Sequence, residues 1–391
     1  MERYNTLTSI LLVLCMLAFR PVQSQQTTDR KMDELAMIQE QVAEIRKQTL
    51  KRVRHNPEYK KLAADTGVQR LRMEMVLQDS VFNNIDRFLN NHSSLMSRDQ
   101  IDSLRIEAYA IKGATKARLL TDHIRHRNGY ESEVVSLLPE MTADLEYPST
   151  QLVKSKKYLD FLIARAFVHI VLDKGRLATK LDTYPRLCRL EDVLLRDAAI
   201  LRLFMEYYPD SNLACWTHFA EDAVSGMTET AYRELLIDKL KRNGLGVKAY
   251  EFVLPDVTGK KVRLNDLRGK VVIVDYWFTG CSACRDLTTN MKDIVAAYDN
   301  AKDVVFVNIS VDRTKEIWLN GIASGKYTHE NSVNLFTDGL GASHPVVSNY
   351  DFKGFPKLLL IDKNGYLAGI PPRPYDTINS SRFVEMIEQA R

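Results

Sequence analysis

The chain has 391 residues, of which 45% are hydrophobic and 27% are charged, and its formal net charge is +4 at neutral pH. This composition is typical of a soluble globular protein, and the length predicts two domains. The small net charge, with no long basic run and no basic–aromatic stripe, argues against nucleic acid as a partner.

Residues 1–24 have the layout of a secretory signal peptide. Arg3 gives a positive start, Ile10–Phe19 is an apolar run, and Val22-Gln23-Ser24 offers a small-residue cleavage site. The run is shorter than the roughly 20 residues that a membrane-spanning helix needs. An uncleaved anchor or a buried helix is the alternative, and lipidation at Cys15 is disfavoured because Leu14 precedes it. We expect an exported protein that contacts a membrane, if at all, through this segment.

Residues 25–243 are predicted to form an all-helical domain of unknown role. They contain only five glycines and five prolines, and apolar side chains recur at helical spacing. The predicted helices are Met32–Val53, Val68–Leu89, Arg98–His126, Leu152–Leu172, Leu190–Tyr207 and Thr228–Leu240. A repeat near 34 residues is not convincing, so we prefer a packed multi-helix domain to a superhelical array.

Two cysteines of this helical region, Cys188 and Cys215, have two interpretations. Disulfides persist in exported proteins, so a bridge between them would close a loop between two helices. Two buried free thiols are the alternative, because sequence spacing does not establish the distance between the sulfurs.

The pattern changes at Asn243-Gly244-Leu245-Gly246, which predicts a domain boundary there. Beyond it, short apolar runs alternate with helical patterns, as in an α/β domain. The predicted strands are Glu251–Leu254, Lys261–Leu264, Val271–Phe278, Val304–Val311, Lys357–Ile361 and Tyr366–Ile370. The predicted helices are Cys281–Asn300, Lys315–Ala323, Pro345–Tyr350 and Ser380–Ala390.

Cys281 and Cys284 stand where a predicted buried strand runs into a helix. A helix N-terminus carries partial positive charge and unpaired N–H groups, so a cysteine there is expected to have a lowered pKa and to react as a thiolate. Cys284 lies one turn further along and can reach the first sulfur. The expected chemistry is attack by Cys281, a mixed disulfide, and resolution by Cys284.

Two other interpretations of this cysteine pair are weaker. A structural zinc site needs two more ligands, and His329 and His344 lie on predicted loops without paired ligand spacing. A purely structural disulfide would be unusual at a strand-to-helix turn. We therefore expect neither a metal nor another cofactor.

Four stretches, taken in order, resemble the thioredoxin-like TlpA/ResA family of exported thiol–disulfide oxidoreductases. They are Phe252–Asp256, Leu264–Val272, the segment around Cys281 and Cys284, and Gly354–Asp362. The combination is highly specific, and the resemblance covers residues 248–391. It implies a thioredoxin-like α/β domain (244–391) with a central mixed sheet and helices on both faces. The all-helical region precedes this domain, and we recognise no resemblance for it.

The resemblance also implies roles for residues around the two cysteines. Pro356 matches a proline that follows a cis peptide bond and faces the redox pair, although an ordinary trans proline is the alternative. Asp275 matches a buried carboxylate that takes a proton from Cys284, and the alternative is an acid that only tunes packing. Residues expected to line the substrate groove are Phe355, Trp277, Ser282 and Ala283.

The direction of electron flow is less constrained. Gly280 precedes the first cysteine, where many relatives have Trp, and Ser282-Ala283 stands between the cysteines in place of Gly-Pro. Because these two residues add neither a charge nor a histidine, we expect a reductase. The implied setting is the bacterial periplasm, with disulfide-containing exported proteins as substrates and a membrane thiol protein as electron donor.

Three other functions compete with this interpretation. A thiol peroxidase would have Thr and Pro where this chain has Phe278 and Val274. Copper(I) delivery by two thiolates is disfavoured by the lack of a nearby ligand histidine and by Pro356. A helical binding or scaffold protein with an accessory redox domain is the main alternative, because the helical region is the longer part and nothing in it indicates catalysis.

Overall fold

A computed structural model describes residues 22–391 except 58, 61–66, 128–131, 139–144, 208–211 and 353. All but the last three residues of the expected signal peptide lie outside the described residues. Within the described part of the chain, no helix is both long enough and apolar enough to span a bilayer. The chain divides into two compact units after Leu177.

The first unit consists of helices. Their bounds are α1 Val22–His55, α2 Val68–Asn91, α3 Arg98–Arg127, α4 Ser132–Val135, α5 Ser149–Leu152 and α6 Lys156–Lys174. Helix α3 packs against α2 and α6, and its Leu120 meets Met75 and Val168 in a buried cluster. The four long helices were each predicted from apolar spacing, and the helical fold of this region is confirmed.

The second unit begins with further helices. Their bounds are α7 Tyr184–Leu187, α8 Val193–Glu206, α9 Leu213–Gly226 and α10 Thr230–Asn243. Helix α10 packs against α8 and α9, and Phe204 meets Trp216 edge-on in the buried interior. Cys188 and Cys215 are free thiols, so the bridge considered for them is not formed. These helices share a unit with the α/β domain, and the limit at residue 244 stays a prediction.

The α/β domain has a central five-stranded mixed sheet and a small two-stranded ribbon. The strands are β1 Val253–Pro255, β2 Lys261–Arg263, β3 Val271–Trp277, β4 Val304–Ser310, β5 Val333–Phe336, β6 Lys357–Ile361 and β7 Leu367–Gly369. Strands β1 and β2 form the ribbon. The sheet order is β5-β4-β3-β6-β7, with β3 parallel to β4 and antiparallel to β6. The carboxyl ends of β3, β4 and β5 therefore lie at one edge of the sheet.

Helices cover both faces of this sheet, as predicted. They are α11 Ser282–Ala297, α12 Lys315–Ala323, α13 Pro345–Ser348 and α14 Thr377–Ala390. Val271 and Ile273 pack with α11 and α14 on one face. Tyr276 reaches α13, where its hydroxyl donates to the carbonyl of Val346 at 3.2 Å. Every residue of β3 is buried, as expected for a central strand covered on both sides.

Candidate active site

The candidate site begins where β3 ends and α11 begins. Cys281 is the N-cap residue of α11, and its sulfur accepts a hydrogen bond from the Cys284 amide at 3.1 Å. Gly280 makes the sharp turn before it with φ of +94°, a backbone conformation that side chains with a Cβ rarely adopt. The strand-to-helix turn therefore delivers the first cysteine to the positive end of the helix, as the sequence predicts.

Cys281 and Cys284 are joined by a disulfide, with their Cα atoms 5.2 Å apart. Cys281 keeps 7% of its surface exposed, whereas Cys284 is fully buried. An incoming sulfur therefore has access to Cys281 first.

The Phe355–Pro356 peptide bond is cis and lies beside this disulfide. The carbonyl oxygen of Phe355 is 3.9 Å from the Cys281 sulfur. Arg373 donates from Nη2 to the carbonyl oxygen of Pro356 at 3.1 Å, which ties the segment after β7 to this loop. The predicted cis proline is thus next to the redox pair.

Asp275 lies in the middle of β3, flanked by Asn308 of β4 and Leu358 of β6. It is 5% exposed, and its Oδ1 has no hydrogen-bond partner within the described residues. Burial raises the pKa of this carboxyl to about 7, against a smaller opposing effect from the positive charge of Arg373. A carboxyl with this pKa can both hold and release a proton near neutral pH.

The four residues predicted to line the groove differ in exposure. Ser282 is exposed, and Ala283 and Phe355 are half-buried, so these three can meet a substrate. Trp277 is fully buried. Its expected place in the groove is corrected, because the last position of the central strand lies beneath the turn and not on its surface.

Tyr327 supports the turn from a loop that the sequence analysis did not connect with the site. Its hydroxyl accepts a hydrogen bond from the Gly280 amide at 3.0 Å. Its ring stacks on Trp277 with centroids 5.2 Å apart and planes 11° apart. No sequence signal marks Tyr327, because it is separated from the turn by nearly fifty residues and reaches it only in the folded chain.

Asp312 fixes the same turn from the end of β4. Its two carboxylate oxygens accept from the amide and the hydroxyl of Thr279, each at 2.9 Å. Ser310 adds a third hydrogen bond, at 2.8 Å from its hydroxyl to Oδ2 of Asp312. An acidic residue at the carboxyl end of a strand parallel to β3 was a usable signal, since such ends share one edge of the sheet.

An apolar wall stands beside the disulfide. The ring of exposed Phe278 meets the ring of Phe355 edge-on, with centroids 6.0 Å apart.

Throughout the described ranges, no group of three or more His, Cys, Asp or Glu side chains is arranged to hold a metal ion. Among the residues described above, the two sulfurs can exchange disulfides and the carboxyl of Asp275 can exchange a proton.

Comparison with known proteins indicates a thioredoxin-like protein. Residues 269–367 match a family model described as thioredoxin-like. Thiol-disulfide oxidoreductase ResA of Bacillus thuringiensis (strain Al Hakam) is 29% identical over 136 residues, which are 35% of this chain and 73% of that protein. Thioredoxin-like protein YneN of Bacillus subtilis (strain 168) is 26% identical over 125 residues, which are 32% of this chain and 69% of that protein.

Solved structures also match the C-terminal part of the chain. A thiol:disulfide interchange protein from a Bacteroides species is 31% identical, with 35% of this chain and 87% of that chain covered at a TM-score of 0.30. The thioredoxin domain of a thiol-disulfide oxidoreductase from Bacteroides vulgatus is 28% identical, with 38% and 99% covered at a TM-score of 0.32. Because both TM-scores are below 0.5, the assignment depends on the sequence relatives and the family model.

A disulfide at the start of a helix, beside a cis proline on a mixed sheet, defines a thioredoxin-like oxidoreductase domain. This C-terminal domain matches the thioredoxin-like family model and is similar to thiol-disulfide oxidoreductase ResA, and the chain is a thiol–disulfide oxidoreductase. The residues that match the family model, 269–367, do not include the helices before residue 244.

Proposed function

We propose that the chain is an exported reductase of protein disulfides. The observation that carries the proposal is the Cys281–Cys284 disulfide at the N-terminus of α11, with Cys281 the more exposed sulfur and 3.9 Å from the carbonyl oxygen of Phe355. An extended substrate segment bound along Phe355 would bring its own sulfur next to Cys281.

The proposed reaction consists of two thiol–disulfide exchanges. In the reduced chain, the Cys281 thiolate attacks one sulfur of the substrate disulfide, which forms a mixed disulfide and releases the other substrate sulfur as a thiolate. Cys284 then attacks the Cys281 sulfur, which closes the disulfide and releases the second substrate thiolate. Two electrons pass from the chain to the substrate, and an external dithiol must reduce the chain again.

Asp275 is the proposed proton acceptor in the second exchange. The Cys284 thiol must lose its proton before it can attack, and both Cys284 and Asp275 are buried. A carboxylate with a pKa raised to about 7 by burial can take up this proton near neutral pH. Arg373 limits this rise of the Asp275 pKa.

The reducing direction and the location rest on sequence features. Ser282 and Ala283 place no charge between the two cysteines, so they do not stabilise a Cys281 thiolate as a neighbouring cation would. A strong oxidant needs such stabilisation of its reduced form.

Export is supported by the apolar run Ile10–Phe19 with its cleavage site. A membrane thiol protein that faces the same compartment would supply the electrons.

The proposal is tested by trapping the mixed disulfide. The full chain carrying Cys284→Ser should accumulate a covalent adduct with a disulfide-containing protein, and a thiol reductant should release it. Cys281→Ser is the matched control and should form no adduct, because Cys284 is buried. Adducts of equal yield in both variants would overturn the assignment of Cys281. A reduction potential above that of glutathione would overturn the reducing direction.

A further inference from the structure

A cleft of about 750 Å³ lies beside the redox helix. One wall is formed by the residues of α11 that follow Cys284, and the other by the loop 325–330 between α12 and β5. The side chains that give the cleft its polar character are Arg285, Lys292, Lys326, His329 and Glu330. Nothing in the exchange reaction described above uses this cleft.

The charge of the cleft is predominantly positive. Arg285 lies 3.9 Å from the neighbouring Asp286, which is a loose pair on an exposed surface. Lys292 and Lys326 are exposed, and within the described residues neither has an ion pair with a carboxylate. Glu330 is the acidic residue that lines the cleft. Two cations are therefore available to a negatively charged partner.

His329, which also lines the cleft, has a polar atom without a partner in the described residues. Nε2 of His329 is buried and has no hydrogen-bond partner in the described part of the chain. Burial lowers the pKa of this imidazole, and the positive charge of Lys292 lowers it further, whereas Asp299 opposes the shift. A neutral histidine can donate or accept one hydrogen bond at this atom. The lining of the cleft thus combines two exposed lysines with a histidine whose Nε2 is unsatisfied within the described residues.

The cleft is connected to the redox turn through the same loop. Tyr327 lies between Lys326 and His329, and its hydroxyl holds the Gly280 amide next to Cys281. Ile322, which also lines the cleft, packs against the buried cluster that contains both cysteines. The cleft and the redox turn therefore share the loop 325–330 and the buried cluster around the two cysteines.

We infer that the cleft between α11 and the loop 325–330 binds an acidic segment of the polypeptide whose disulfide is exchanged at Cys281. This inference rests on the proposed function and specifies the class of its substrates. Carboxylates of the segment would lie near Lys292 and Lys326, and His329 would supply a hydrogen bond. Paired charges across an exposed interface chiefly steer association and select partners, so the contribution should decrease with added salt.

The test uses the full reduced chain and two synthetic peptides with the same internal disulfide. One peptide carries a flanking run of aspartates, and the other carries serines in their place. The variant Lys292→Glu/Lys326→Glu should lose about five- to tenfold in kcat/KM with the aspartate peptide at low ionic strength, chiefly through a higher KM. Its rate with the serine peptide and with bis(hydroxyethyl) disulfide should be unchanged.

A matched control changes the same number of charges elsewhere on the domain. Lys302→Glu/Arg382→Glu alters two exposed cations, and Lys302 precedes β4, at the opposite end of the strand from the redox turn. This control should keep the wild-type preference for the aspartate peptide. The inference is overturned if Lys292→Glu/Lys326→Glu keeps that preference too, or if both double variants lose it equally.

Failure of the proposed function gives a different result. A wild-type chain that reduces neither the small disulfide nor either peptide would overturn the reductase proposal. Binding is then measured alone, by fluorescence anisotropy of an aspartate peptide with serines in place of its cysteines. Binding that Lys292→Glu/Lys326→Glu weakens and the control variant keeps would support the acidic-segment site. Equal binding by the three chains would overturn it.

Discussion

The hydroxyl of Tyr327 accepts a hydrogen bond from the amide of Gly280, 3.0 Å away, at the residue directly before Cys281. The same ring stacks on Trp277 beneath the turn. A side chain from the loop after α12 thus supports the turn that carries Cys281, through one polar and one aromatic contact that can be removed separately.

Tyr327→Phe should keep the stacked ring and remove the hydrogen bond. We expect a loss of about 0.5–1.5 kcal/mol in the free energy of unfolding and slower attack on a protein disulfide, because the turn before Cys281 is held less firmly. Denaturant unfolding and stopped-flow exchange measure the two effects. Tyr366→Phe is a control at an exposed tyrosine of the same domain. Identical attack rates for the wild type and Tyr327→Phe would contradict the positioning role.

Asp275→Asn should remove a pH dependence from the second exchange. The proposed acceptor role requires an ionised Asp275, so the rate of resolution in the wild type should rise with pH, with a midpoint near the carboxyl pKa of about 7. The variant should resolve more slowly and without this midpoint. Rapid-quench analysis of the mixed disulfide separates resolution from attack. A midpoint near pH 7 that persists in the variant would exclude Asp275 as the acceptor.

The same substitution should change the pH dependence of stability. The pKa of Asp275 is raised from 3.8 to about 7, so the folded state binds this proton more tightly than the unfolded state. The stability contributed by the protonated form is complete at acidic pH and is lost as the pH rises through about 7. Asparagine does not ionise, so oxidised Asp275→Asn should be more stable than wild type at alkaline pH, by up to about 4 kcal/mol. Urea titrations across this range should show the difference shrink toward acidic pH.

The parts of the site that the sequence predicted are those carried by short stretches of chain. Cys281 and Cys284 are three residues apart, and the strand before them sets their place at the start of α11. Pro356 was identified only through the family resemblance, because nothing in its own neighbours specifies a cis bond. Tyr327 was missed because its partner is distant in sequence, whereas Asp312 was missed although its place at the carboxyl end of β4 was a usable signal.

The helices and strands were likewise predictable where one continuous stretch of chain carries a clear pattern. Long helices such as α2 and α3 show enough apolar repeats to predict their bounds within a few residues. Strand β5 was not predicted, since four residues give only two positions on each face. Helix α9 was not predicted either, although Leu213, Trp216 and Ala220 have helical spacing and are buried. The periodicity was present there, but the run is short and polar residues interrupt it.

Arg373→Met should raise the pKa of Asp275 further. The guanidinium favours the ionised carboxylate, so removing its charge leaves the effect of burial less opposed. The midpoint of the resolution rate should therefore move above about 7. Arg373 also donates to the carbonyl of Pro356, so Arg373→Lys is made in parallel, because it keeps the charge while losing the planar donor. A midpoint that shifts equally in both variants would mean that the hydrogen bond, and not the charge, tunes Asp275.

Lys239 joins α10 to the loop that leads to the cis proline. It is 2% exposed, and its Nζ lies 3.8 Å from Oδ2 of Asp351. The side-chain amide of Asn243 is assigned so that its oxygen faces a donor and its nitrogen faces acceptors. In this orientation the oxygen accepts a hydrogen bond from Lys239 at 3.0 Å, and the nitrogen donates to the carbonyl of Asn349 at 3.1 Å. One buried ammonium thus links α10 to the segment after α13.

Lys239→Ala should lower the free energy of unfolding by about 2 kcal/mol, because it removes a buried stem and leaves the Asn243 oxygen without this donor. Lys241→Ala, at an exposed position of the same helix, should change it by less than about 0.5 kcal/mol. Both are measured by denaturant unfolding of the oxidised chain. If the predicted limit at residue 244 separates independent folding units, Lys239→Ala should destabilise the α/β domain little. Unfolding of the α/β domain at the same denaturant concentration as α10 would instead show that residues 178–243 and the redox domain unfold as one unit.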